Sequence, residues 1–112
     1  MELRDKVCNM AKEIYGMRLQ FVVAQEELAE LIQVISKYIR LIDTKNTLSW
    51  DGWNGEIVDN MVEEIADVEI MLYQLKWFWN MFDEVKKKKD SKWKRTFKQF
   101  HKEAKTNLSV KK

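Results

Sequence analysis

A chain of 112 residues that is 46% hydrophobic and 34% charged holds enough apolar material for one folded domain, which excludes a disordered polypeptide. Proline is absent and glycine occurs three times, which argues against turn-rich β architectures, and the single cysteine, Cys8, excludes an internal disulfide framework. The formal net charge of +2 hides an asymmetry: residues 86–112 carry twelve Lys/Arg against Asp90 and Glu103, a net of +10, which leaves residues 1–85 at −8.

The first predicted element is a short helix on which Leu3, Val7, Met10, Ala11 and Ile14 form one apolar face, ending near Tyr15-Gly16. Its sequence lacks the uninterrupted apolar stretch of a signal peptide, and no run in the chain approaches the roughly 18–20 residues that cross a bilayer. A soluble, cytoplasmic protein without a membrane partner is the expectation. A second helix is predicted from about Met17 to Ile42, with Phe21, Ala24, Leu28, Leu31, Ile35 and Ile39 or Ile42 on its stripe. The polar segment Asp43–Glu56 then reads as a loop holding Trp50 and Trp53.

A third helix is predicted from about Glu56 to Val85, apolar on one broad face through Ile57, Met61, Val68, Met71, Leu72, Leu75, Phe78, Trp79 and Phe82. After the Lys86–Lys89 run, Trp93, Phe97, Phe100, Ala104 and Leu108 repeat at helical spacing, so the basic segment over about 90–108 is itself an amphipathic helix expected to pack down. Packing is also the expected role of Trp77, Trp79 and Trp93. The fold class that follows is all-α: a single domain over residues 1–112, four helices in a bundle, with oligomerisation completing a core too small to stand alone.

The anomaly is where the acids fall. Turning each residue about 100° from Glu64, Val68 lies near 40°, Leu75 and Ile57 near 20°, Met71 near −20° and Phe78 near −40°. Glu64 therefore sits inside the apolar stripe, and Asp67 at its edge. Glu27 and Glu30 repeat this offset on the second helix, beside Leu28 and Leu31. Carboxylates gathered at a core seam repel one another and lose hydration, so they require a cation among them. Side chains three apart are helix neighbours, and oxygen-only donors suit Mg²⁺, or Mn²⁺, which shares carboxylates with substrate phosphates. A single Glu-x-x-Glu would be read as solvated charge; two such pairs on adjacent core-facing helices favour Glu27, Glu30, Glu64 and Asp67 as metal ligands. His101 is the only histidine, which disfavours a di-iron site built on Glu-x-x-His pairs.

The stretches QEELAELIQVISKYIR (25–40) and NMVEEIADVEIMLYQLK (60–76) resemble the paired motifs of the MazG-like, all-α nucleoside triphosphate pyrophosphohydrolases, here Glu26-Glu27-Leu28-Ala29-Glu30 and Glu64-Ile65-Ala66-Asp67. The resemblance covers roughly residues 15–80. It implies hydrolysis of a (deoxy)nucleoside triphosphate to the monophosphate and pyrophosphate with magnesium, in homodimers or homotetramers, through attack of water at the α–β linkage. Glu26 and Glu63 are the candidates to take the proton of that water. On the same helical faces, Lys37 is a candidate for phosphate charge, and Gln20 and Asn60 for hydrogen bonds to substrate. The connection between the motifs is longer than in compact members of that family and includes Trp50 and Trp53, so no base preference is carried over. The competing readings are a non-catalytic helical adaptor and, less favoured, a nucleic-acid-binding protein that uses Lys86–Lys89, Lys92, Lys94, Arg95 and Lys98.

Overall fold

In a computed structural model, the described residues are 1–45 and 55–111, with the side chains of 44, 45, 56, 57 and 108–111 left aside. They form four helices and, among the described residues, no strand: α1 Leu3–Tyr15, α2 Met17–Lys45, α3 Gly55–Phe78 and α4 Phe82–Lys111. The all-α expectation is met. The segment holding Trp50 and Trp53 lies outside the described residues.

The chain divides into two compact units, Met1–Trp79 and Asn80–Lys112. In the first, α2 and α3 make the main contact and α1 rests on both. Phe21 meets Phe78 edge to face at 5.9 Å and stacks on Trp79 at 5.3 Å, while Glu27 lies beside Glu64. Rising numbers on α2 thus meet falling numbers on α3, an antiparallel register. The hairpin is close because small or slender side chains, Ala24 on α2 and Val68 and Met71 on α3, occupy its buried seam.

Gly16, at φ 82°, separates α1 from α2; its N–H closes the last turn of α1 on the Lys12 carbonyl, and a positive φ there favours glycine. The face of α1 that turns inward is not the expected one. Cys8 is its buried residue, whereas Leu3, Val7, Met10 and Ile14 are exposed. The reason is polar: the Tyr73 hydroxyl donates to Asp5 at 2.6 Å and the Arg4 guanidinium lies 4.9 Å over the Tyr73 ring, fixing the rotation of α1 against α3. Burial and the neighbouring Asp5 charge push the Cys8 thiol up, so it packs as a small apolar group.

The third helix ends earlier than its hydrophobic pattern predicts. Asn80 takes φ 49°, a left-handed conformation that asparagine tolerates, and the helix breaks after Phe78 instead of running to Val85. A new helix begins at Phe82 with Asp83 and Glu84 in its first turn, where acids complement the helix dipole, and it absorbs the Lys86–Lys89 run. Trp93, Phe97 and Phe100 of α4, expected to pack down, are exposed.

The burial pattern separates two methionines. Met71→Ala is expected to lower unfolding free energy by about 2–4 kcal/mol in urea denaturation, because Met71 is 7% exposed at the seam. Met10→Ala, at 56% exposed, is expected to stay within about 0.5 kcal/mol, although sequence spacing places both methionines on core faces.

Candidate functional site

Three carboxylates from two helices converge at the middle of the α2–α3 seam. Glu27, Glu30 and Glu64 each offer an oxygen, and these oxygens lie within 4.8 Å of one another. The spacing follows from local structure: Glu27 and Glu30 are one turn apart on α2, and the antiparallel register brings Glu64 across from them. Glu27, Glu64 and Asp67 are half-buried and Glu30 is exposed, so the cluster opens to solvent on the Glu30 side.

Two oxygens within the cluster are buried, and neither Glu27 Oε2 nor Glu64 Oε2 has a hydrogen-bond partner among the described residues. A buried acceptor without a donor forfeits the hydration it had in the unfolded chain. The electrostatics agree. Burial first, then the charges of Glu30, Asp67 and Glu64, hold the Glu27 carboxyl above the ordinary glutamate range, and Glu30 lies close enough to share a proton with it. For Glu64 burial again leads, followed by the charges of Glu30 and Asp67, proximity to Glu30, and the charge of Glu63. Asp67, expected as the fourth ligand, is not among the acids whose oxygens approach within 4.8 Å and acts on Glu27 and Glu64 only through its charge.

Hard oxygen donors gathered this closely would suit a divalent cation of the magnesium class, and the Glu30 side of the cluster is open to solvent. The fit rests on the orphaned oxygens as much as on proximity: a cation would give Glu27 Oε2 and Glu64 Oε2 a counterpart, as would a proton shared with Glu30.

Beside the acids, toward the C-terminal end of α2, a cavity of about 330 Å³ is lined by Gln33, Val34, Lys37, Arg40 and Asn60. Lys37 and Asn60, candidates from sequence, are brought together here. Gln33 and Arg40 were not singled out, because each reads as an ordinary polar position of an exposed helix face; their spacing of three and ten residues from Glu30, which keeps them near its side of α2, was the available signal. Gln20 does not line this cavity. It lies two turns before Glu27, buried near the Phe21 end of the seam. Glu26 and Glu63 are exposed next to the cluster. A larger groove of about 480 Å³ runs between α1 and α3 past Leu3, Val7 and Ile70, but its apolar lining suits no phosphate.

Raised carboxyl values make the metal-free fold favour protons. Both states are protonated below the unfolded value of about 4.3, where the stabilisation is fully present. It is lost as pH rises through the higher folded values of Glu27 and Glu64. In EDTA, the Tm of the wild type is therefore expected to fall relative to Glu64→Gln as pH climbs from that point to 8, and the variant to melt higher at pH 8. Parallel melting curves across the range would show that the cluster carries no strain.

Comparison with known proteins finds no family model, no curated protein and no solved structure that matches this chain.

Proposed function

We propose that this chain is a magnesium-dependent hydrolase that converts a (deoxy)nucleoside triphosphate to the monophosphate and pyrophosphate, in the manner of the MazG-like, all-α pyrophosphohydrolases that its two acidic motifs resemble. The observation that carries the reading is the convergence of Glu27, Glu30 and Glu64, two of them with buried, unpartnered oxygens, next to a cavity lined by Lys37, Arg40 and Asn60. Opposite charges held side by side are what a metal–polyphosphate complex requires at its two ends.

Glu27, Glu30, Glu64 and Asp67 would hold Mg²⁺, or Mn²⁺, which when bound supplies charge neutralisation and orientation for the phosphates. The remaining work belongs to the chain. Lys37 and Arg40 attract phosphate oxygens, and Gln33 and Asn60 offer amide hydrogens to them. Glu26 and Glu63 stand beside the cluster, exposed and able to accept a proton from the attacking water.

The reading includes a second copy of the chain, as homodimer or homotetramer. Leu28, Ile32, Ile35 and Ile39 follow one another at four, three and four residues on α2, the spacing of a helix-pairing seam, and are 41%, 63%, 41% and 52% exposed. Ile32→Glu with Ile39→Glu is expected to shift sedimentation to the monomer and to leave the helical content unchanged. An unaltered sedimentation coefficient would remove this part of the reading.

For the chemistry, the deciding measurement is pyrophosphate release over a panel of ribo- and deoxynucleoside triphosphates. Activity is expected with Mg²⁺, absent in EDTA, and reduced about 10²-fold or more in Glu64→Gln. Lys37→Ala is expected to raise KM about tenfold with a smaller change in kcat, as loss of a phosphate contact requires. Equal rates for wild type and Glu64→Gln on every nucleotide would overturn the assignment.

A further inference from the structure

The helix α4 carries a surface that the proposed chemistry leaves unused. At about 100° per residue, and with Trp93 as zero, Phe97 falls near 40°, Phe100 near −20° and Ala104 near 20°, a single narrow stripe. Its three rings are 69%, 71% and 61% exposed. On the same wheel Asp90 at about 60°, His101 near 80°, Thr96 near −60° and Glu103 near −80° flank the stripe, Lys86 near 20° and Lys89 near −40° continue it, and beyond them lie Lys94 and Lys92 near 100° and −100° and Lys98 and Lys88 near 140° and −140°. Lys88, Lys92, Lys94 and Lys98 are exposed. Over its whole length α4 holds eleven Lys/Arg against Asp83, Glu84, Asp90 and Glu103, a net of +7.

The charge and the rings together select the kind of partner. An aromatic stripe this exposed needs an apolar cover, and a helix this basic needs an anionic one. A second α4 laid against the first supplies the apolar cover but brings two helices of +7 into contact. A duplex nucleic acid supplies the negative charge, yet it presents phosphates and groove edges that leave the rings uncovered, and a single strand that stacks on them is the outcome the test must separate. An anionic lipid surface meets both demands at once, since interfacial Trp and Phe bury in the headgroup boundary while flanking lysines extend along their stems to lipid phosphates.

We propose that α4 lies flat on anionic membrane surfaces, with Trp93, Phe97 and Phe100 inserted at the headgroup level and Lys88, Lys92, Lys94 and Lys98 bound to lipid phosphates. Lying on a bilayer is distinct from crossing it: no helix among the described residues is long and apolar enough to span one. The expectation of no membrane partner came from the missing spanning segment, which does not bear on surface binding.

The test uses the full chain and vesicles of phosphatidylcholine with or without phosphatidylglycerol. The chain is expected to sediment with the mixed vesicles, to stay in solution with pure phosphatidylcholine, and to lose most of its binding at high salt. A variant with Trp93→Ser, Phe97→Ser and Phe100→Ser keeps every charge, and its partition into mixed vesicles is expected to fall about tenfold or more, with helicity by circular dichroism confirming that it folds. Replacing Lys88, Lys92, Lys94 and Lys98 with Gln keeps every ring and is expected to cost a similar factor. A blue shift of tryptophan emission on vesicle addition, lost in Trp93→Phe, would place the ring at the interface. Three results would overturn the proposal: equal binding to neutral vesicles, undiminished binding by the serine variant, or aromatic-dependent retention on a single-stranded oligonucleotide with none on vesicles.

Discussion

Carboxylates at a helix seam are the constraint around which the larger unit is arranged. Each one placed between α2 and α3 gives up hydration and acquires acidic neighbours, and neither cost is recovered by packing. The chain nonetheless directs Glu27 and Glu64 inward and surrounds them with Ala24, Val68 and Met71, which close the helices enough to bury one oxygen of each. That proximity raises both carboxyls and, on the proposed reading, would give a cation its donors. Shorter or displaced acids would relieve the repulsion and lose the site together.

The rest of the hairpin is economical to the point of being thin. Among the described residues the buried apolar set is Cys8, Ala24, Val68 and Met71, while isoleucines along α2 face outward. A seam that holds acids in its middle has little room for large apolar groups, so bulky packing moves to the Phe21–Phe78–Trp79 end. Outward-facing isoleucines are then available to the second copy that the functional reading includes, and an interface there would stiffen the helices bearing Glu27 and Glu30.

What could be read from the sequence was what periodicity encodes. The 100° step locates Glu27, Glu30, Glu64 and Asp67 relative to apolar neighbours, and the structure brings oxygens of the first three within 4.8 Å of one another while Asp67 bears on them through its charge. Periodicity failed where a specific polar pairing outweighed it. On α1, the Tyr73–Asp5 hydrogen bond and Arg4 over the Tyr73 ring turn Cys8 inward and leave Met10 and Ile14 outside, a partnership between residues far apart in sequence that no local pattern reveals. It failed again at Asn80, because an apolar pattern through Phe82 and Val85 extends the helix on paper whereas a left-handed residue ends it. Gln33 and Arg40 escaped notice for a third reason: exposed polar side chains acquire meaning only when an antiparallel neighbour, here Asn60, closes a cavity with them.

The neighbouring cationic cavity changes what the acids imply. An acidic cluster alone repels a triphosphate, and Lys37 and Arg40 alone would attract any anion. Side by side, on the proposed reading, the two would favour a polyphosphate that arrives with a divalent cation, because that complex offers charge of the right sign to each end. On the proposed reading, cation and nucleotide must then bind with positive coupling: each lowers the electrostatic cost of the other, and the coupling is the same whichever binds first. The proton competes in the same equilibrium. Carboxyls held above their ordinary range keep protons longer as pH rises, so on that reading protons compete with the cation for the same oxygens. On that reading, selectivity for a metal–polyphosphate complex and competition from protons would share one physical cause, the crowding of negative oxygens at the α2–α3 seam.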